Sequence, residues 1–139
     1  MNYLDYAATT PVNAEVLEVI TKEMASFGNP SSVYRIGREQ KQKIERVKKA
    51  ILSELQASPH DAIIFTSSGS EGNNLVFESI WEHFAKEKGH IIVSAVEHPS
   101  VRKPAEFLEQ EGFEVTYLAP NKDGIVTVSE IEEALREDT

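Results

Sequence analysis

The segment Phe65-Thr66-Ser67-Ser68-Gly69-Ser70-Glu71-Gly72-Asn73-Asn74-Leu75 sets small and hydroxyl-bearing residues between an apolar, β-branched run and an amphipathic helical pattern. A turn of this kind at a helix N-terminus exposes backbone N–H groups, and the helix dipole adds partial positive charge. The spot therefore suits an anion such as a phosphate. Gly69 lets the backbone approach a ligand closely, and Ser70 adds a hydroxyl donor. An ordinary strand-to-helix turn with Ser70 as N-cap meets the same pattern, and on the turn alone that plainer account is favoured. No Gly-Lys-Ser/Thr follows and no Gly-x-Gly-x-x-Gly is present, so neither a P-loop nor a dinucleotide fingerprint applies.

His98 is the second candidate. It lies just past a strand-like run, at the edge of an open α/β sheet where ligands bind. An imidazole there can stack on an aromatic cofactor or move protons near neutral pH. The competing account is a surface histidine capping the helix that starts near Pro99, and alone it is slightly favoured. His60, His83 and His90 read as loop, helix-face and strand-start residues. The four histidines have no close ligand spacing, so no metal is assigned. A third feature is Tyr3-Leu4-Asp5-Tyr6-Ala7-Ala8-Thr9-Thr10-Pro11, an arm whose small residues and buried-looking Asp5 could pack near a cleft, or which is an edge strand or mobile terminus. The 28–32 loop is a helix stop by default and a cleft-lining loop at best.

The elements that position these residues follow from periodicity. Residues 1–12 read as extended. Asn13 can cap a helix carrying Val16, Leu17, Ile20 and Met24 at helical spacing, and Gly28-Asn29-Pro30-Ser31-Ser32 is a loop. A helix over about 37–56 bears the stripe Ile44, Val47, Ile51, Leu52 and Leu55, closed by Ser58-Pro59-His60-Asp61. Residues 62–66 read as a short buried strand. The next helix buries Leu75, Val76, Ile80 and Phe84 and ends at Gly89. A strand over 90–95, a helix over about 100–111 ended by Gly112, and a strand over 113–118 follow. Pro104 blurs the start of that helix. Asp123-Gly124 turns the chain, and Ser129 with Glu132 gives a capping-box pattern for a last helix. Alternating strands and helices imply an α/β, three-layer, mainly parallel sheet with right-handed crossover helices. Because the last helix should lead into another strand, the chain is expected to be part of a larger protein.

The 139 residues suffice for one domain with a core. With 23 acidic and 14 basic residues the formal net charge is −9, which argues against nucleic acid as a partner. The basic run over 41–49 is interleaved with acidic residues and reads as a solvated helix face. There is no cysteine, hence no disulfide, zinc-thiolate or cysteine nucleophile from these residues. No secretory signal and no membrane-length apolar run is visible, so the expected location is cytoplasmic, with no membrane partner.

Tyr-Leu-Asp-Tyr-Ala-Ala-Thr-Thr-Pro at 3–11, Phe-Gly-Asn-Pro-Ser-Ser at 27–32, Phe-Thr-Ser at 65–67 with Glu71 and Asn74-Leu75, and Glu97-His98 together resemble the cysteine desulfurases of the NifS/IscS type, in the class V aminotransferase group of pyridoxal-phosphate enzymes. The resemblance runs the length of the chain, in order and with matching spacing. It implies an arm over 1–12 and the first part of a cofactor-binding large domain over 13–139, with the arm close to the active-site cleft. It implies pyridoxal 5'-phosphate as cofactor, with Gly69 and Ser70 holding its phosphate and His98 stacking on its ring and taking part in proton transfer. It also implies L-cysteine as substrate, with conversion to L-alanine and transfer of sulfur as an enzyme persulfide. A sulfur-acceptor or scaffold protein, iron–sulfur or thio-cofactor assembly, and a homodimer follow from the same resemblance.

The chain departs from the pattern at Ser68-Gly69-Ser70, where Gly-Ala-Thr is commoner, at Gly72-Asn73, where Ser-Asp or Ser-Asn is usual, and at Tyr34, often histidine. The lysine that holds the cofactor covalently, the aspartate and asparagine that contact its ring, and the persulfide cysteine are expected beyond Thr139. Turnover by these 139 residues alone is not expected. Two other readings stand beside this one. One is a selenocysteine lyase or other class V enzyme, and the other is a non-catalytic truncated module that binds a partner.

Overall fold

A computed structural model describes residues 2–58 and 60–139. Met1 of the arm and Pro59 of the turn after the long helix lie outside the described residues. The chain falls into two compact units, residues 1–63 and 64–139.

The first unit is helical. Residues 2–13 are not simply extended as expected. Asp5 accepts the Ala8 N–H on both its carbonyl and its Oδ1, closing a turn over 6–8, and Thr10 Oγ1 donates to the Tyr6 carbonyl. Asp5 is exposed, because its carboxylate serves this local turn, and so it is not the buried acid the sequence suggested. Helix α1 (Ala14–Met24) starts as expected on Asn13, whose Oδ1 accepts the Glu15 N–H at 2.8 Å. Helix α2 (Arg35–Glu54) ends in a Schellman motif. Gln56 takes a left-handed φ of 51°, its N–H donates to the Ser53 carbonyl, and the Ala57 N–H donates to that of Leu52. The 28–32 loop folds onto α2 at the buried Gly37. A Cβ there would lie 2.1 Å from Ser32 Oγ and 2.3 Å from the Asn29 carbonyl oxygen, so only glycine fits.

The second unit holds helix α3 (Gly69–Phe84), strand β1 (His90–Ser94), helix α4 (Pro99–Gln110), strand β2 (Glu114–Leu118) and helix α5 (Val128–Ala134). β1 and β2 pair in parallel, with His90 opposite Glu114 and Ser94 opposite Leu118, and α4 is the crossover between them. The parallel α/β architecture is the one expected. Val93, Ala105, Leu108 and Phe113 form the buried core. α4 ends as expected at Gly112 (φ 95°), with the Phe113 N–H on the Leu108 carbonyl and both side chains buried. Pro104 sits inside α4 without ending it.

Several expectations are corrected. Residues 62–66 are not a buried strand. No backbone hydrogen bond reaches them from the described residues, and Ile64 and Phe65 are 70% and 57% exposed. Strand propensity alone makes no strand without a partner for its N–H and C=O groups. Helix α3 does not bury Leu75, Val76, Ile80 and Phe84. It faces α4 through Asn73 and Trp81, with Trp81 6.3 Å from Phe107 between ring centroids. The chain leaves α3 through Lys88, which holds the left-handed φ of 55°. Gly89 instead makes room for the Asp138 carbonyl. The capping box of α5 is Thr127 with Glu130, not Ser129 with Glu132. Thr127 Oγ1 accepts the Glu130 N–H, and the Glu130 carboxylate accepts the Thr127 N–H at 2.7 Å.

Candidate functional site

The site lies in the second unit, where α3 and α4 both begin. At α3 the N-cap is Ser68, not Ser70: Ser68 Oγ accepts the Glu71 N–H at 3.2 Å. Ser68-x-x-Glu71 is a capping-box spacing, a sequence signal that could have located this cap. The Glu71 carboxylate reaches one residue further back than in that box, accepting the Ser67 N–H at 2.5 Å and Ser67 Oγ–H at 2.6 Å. Those two bonds from Ser67 hold the Glu71 carboxyl below its ordinary value of 4.5. Asn74 Nδ2 donates to the Ser70 carbonyl at 2.7 Å, and Thr66 Oγ1 donates to that of Ser68 at 3.0 Å. The turn is thus knitted from its own side chains.

With Ser68 as cap, Ser70 is left free. Among the described residues the Gly69 and Ser70 N–H groups and Ser70 Oγ have no hydrogen-bond partner. A Cβ built on Gly69 meets nothing within 4 Å. Three donors without a protein partner thus stand at a helix N-terminus, with open space beside Gly69, and their chemistry suits a phosphate. Gly69 is not needed here for backbone strain, since an alanine would find the same space.

His98 is the N-cap of α4, the plainer of its two expected placements. Its Nδ1 accepts the Ser100 N–H at 3.1 Å, with Ser100 Oγ 2.8 Å away. The ring is exposed. Asn73 Nδ2, from the fifth residue of α3, donates to Ser100 Oγ at 3.0 Å. This bond joins the helix start that carries Gly69 and Ser70 to the one that carries His98. Asn73 and Ser100 were not singled out from the sequence, since no spacing rule links residues 27 apart. Among the described residues no cluster of metal-ligating side chains occurs, and no helix is long and apolar enough to cross a membrane.

The sequence model of the family described as Aminotransferase class-V matches residues 2–139. The chain belongs to the class-V aminotransferase family. It is 44% identical over 138 residues to "Cysteine desulfurase IscS" of Dictyoglomus turgidum, covering 99% of this chain and 35% of that protein. It is 40% identical over 141 residues to the protein of the same name from Pectobacterium carotovorum, with the same two coverages. Among solved structures it is similar to "SspA in complex with cysteine", at a TM-score of 0.89 and 38% identity over 99% of this chain and 40% of that one. It is also similar to a "NIFS-LIKE PROTEIN", at 0.87 and 33% over 97% and 37%. The chain spans about a third of the length of the curated relatives it matches. Class-V aminotransferases and cysteine desulfurases use pyridoxal phosphate.

Proposed function

We propose that this chain is the N-terminal portion of a pyridoxal-phosphate-dependent cysteine desulfurase, which converts L-cysteine to L-alanine and passes the sulfur on as a persulfide. In this reading residues 1–12 are an arm, and 13–139 begin the cofactor-binding large domain. The observation that carries it is the set of free donors on Gly69 and Ser70, joined through Asn73 and Ser100 to His98, within a chain similar over nearly its whole length to named cysteine desulfurases.

Gly69 and Ser70 receive the cofactor's phosphate on two N–H groups and a hydroxyl. His98 lies against the cofactor ring and takes part in proton transfer. The bound cofactor supplies an electron sink. These residues anchor and orient it, and Glu71 keeps the turn folded by holding Ser67. We further place the full protein in the cytoplasm as a homodimer. Its sulfur goes to an acceptor or scaffold protein for iron–sulfur or thio-cofactor assembly, the use that the family resemblance implies.

The test is made on the protein at its natural full length. Purified with pyridoxal phosphate, it should release alanine and protein-bound persulfide from L-cysteine. Ser70→Ala should weaken cofactor retention about tenfold, the effect of about one hydrogen bond to a charged group. His98→Ala should lower kcat about 10²-fold or more. A protein that holds the cofactor yet yields alanine only from selenocysteine would replace this reading with a selenocysteine lyase. A protein that holds no cofactor would refute it.

A further inference from the structure

Two donors of Ser100 converge on one atom of His98. The Ser100 N–H lies 3.1 Å from Nδ1, and Ser100 Oγ lies 2.8 Å from it. A backbone N–H can only donate, so Nδ1 must present its lone pair and carry no proton. In the neutral ring the proton therefore sits on Nε2, which has no partner among the described residues. Ser100 Oγ is itself fixed from the other side by Asn73 Nδ2 at 3.0 Å, so its hydroxyl hydrogen is free to point at Nδ1. Asn73 and Ser100 are half-buried, whereas His98 is exposed, so the holding residues are more sheltered than the ring they hold.

We propose that Ser100, held by Asn73, is a positioning residue that fixes the resting His98 ring as its Nε2–H tautomer in one orientation, so that the ring offers a bound ligand a hydrogen-bond donor at Nε2. The catalytic half of this claim rests on the reading of His98 given above, whereas the tautomer does not. Asn73 acts only through Ser100. It pins the hydroxyl, and by joining the starts of α3 and α4 it holds the ring in register with the Gly69–Ser70 donors. A bond of this kind, lying outside the ring's direct contacts, orients a reacting group by removing its rotational freedom.

The experiment uses the full-length protein labelled with ¹⁵N-histidine. In the cofactor-free protein, the neutral His98 ring should show a protonated Nε2 and an unprotonated Nδ1. Ser100→Ala should move the Nδ1 resonance toward that of an unbonded nitrogen. In the loaded enzyme the same change should lower kcat about tenfold while the KM for L-cysteine stays within about twofold, the pattern of a lost orienting contact and not of lost substrate binding. Ser100→Thr, which keeps the hydroxyl, should restore both. Asn73→Ala should cost about threefold alone and nothing more in a Ser100→Ala background, because both act through one chain of bonds. A proton on Nδ1 in the parent protein overturns the proposal. So does Ser100→Ala with kcat and the Nδ1 resonance unmoved, or effects of Asn73 and Ser100 that multiply. If the protein holds no pyridoxal phosphate, the function proposed for His98 falls, while the cofactor-free spectrum still decides the tautomer.

Discussion

The two units bury their residues very differently. In the second, a parallel strand pair and its crossover helix shut Val93, Ala105, Leu108 and Phe113 away from water. In the first, the only buried residue among those described is Gly37, which has no side chain to contribute. Val16, Leu17, Ile20 and Met24 of α1 stand exposed although their spacing makes a clear apolar face. Periodicity creates the capacity to bury a face, and burial itself needs a second surface. The strand pair with α4 supplies one within the second unit, and so the candidate site stands on the better-packed part of the chain.

The sharpest way to break this comparison is to truncate a leucine in each unit in turn. Leu108→Ala, at 0% exposure, should destabilise the second unit by about 2–5 kcal/mol in urea unfolding of the 139-residue chain. Leu17→Ala on α1 should change stability by less than about 0.5 kcal/mol in the same assay. Equal losses would erase the distinction. Gly37→Ala tests the tightest glycine contact of the first unit. It should cost about 1–3 kcal/mol and speed hydrogen exchange at the Ser32 amide, which donates to the Asn29 carbonyl.

Smaller effects sharpen the picture at the helix starts. Ser68→Ala should cost about 1 kcal/mol of the second unit's stability, whereas Ser70→Ala should cost little, because Ser68 and not Ser70 caps α3. Acidification reads the same turn. Glu71 is held below 4.5 when folded, so its contribution is complete above that pH and fades as the pH falls through the lower folded value. A thermal melt series over that acid range should show a shallower decline for Glu71→Gln than for the parent. The smallest effect concerns the Tyr117 hydroxyl, which is buried with no hydrogen-bond partner among the described residues. Its titration is pushed up first by burial and then by the nearby Glu109 and Glu106 carboxylates. Tyr117→Phe should be neutral or slightly stabilising in urea, since it removes an unpaired polar group.

Much of this was legible beforehand because it is local. The Asn13 cap, the Gly112 stop and the Asp123-Gly124 turn depend on residues within a few positions of one another, and the alternation of β1, α4 and β2 follows from the local periodicity of each segment. The misreadings are of two kinds. For the caps of α3 and α5, a hydroxyl side chain is the right chemistry, but the expected serines, Ser70 and Ser129, are not the residues that cap: Ser68 and Thr127 are. Ser68 and Thr127 won because the glutamate three residues on could return a bond to the same turn. For residues 62–66 and the outer face of α3, propensity and periodicity were read as burial, which only a partner can confer.

Local pattern and motif spacing suffice for the family, the succession β1, α4, β2 and α5, and the residue types available at Gly69, Ser70 and His98. That Ser70 is left free, that α3 turns Asn73 toward α4, and that Ser100 claims Nδ1 of His98 emerge only in the folded chain. These outcomes depend on which of several competing donors and acceptors meet in space. The bond from Asn73 to Ser100 spans 27 positions and exists because α3 packs on α4. No local rule specifies that contact, since it is set by the packing of side chains drawn from both helices.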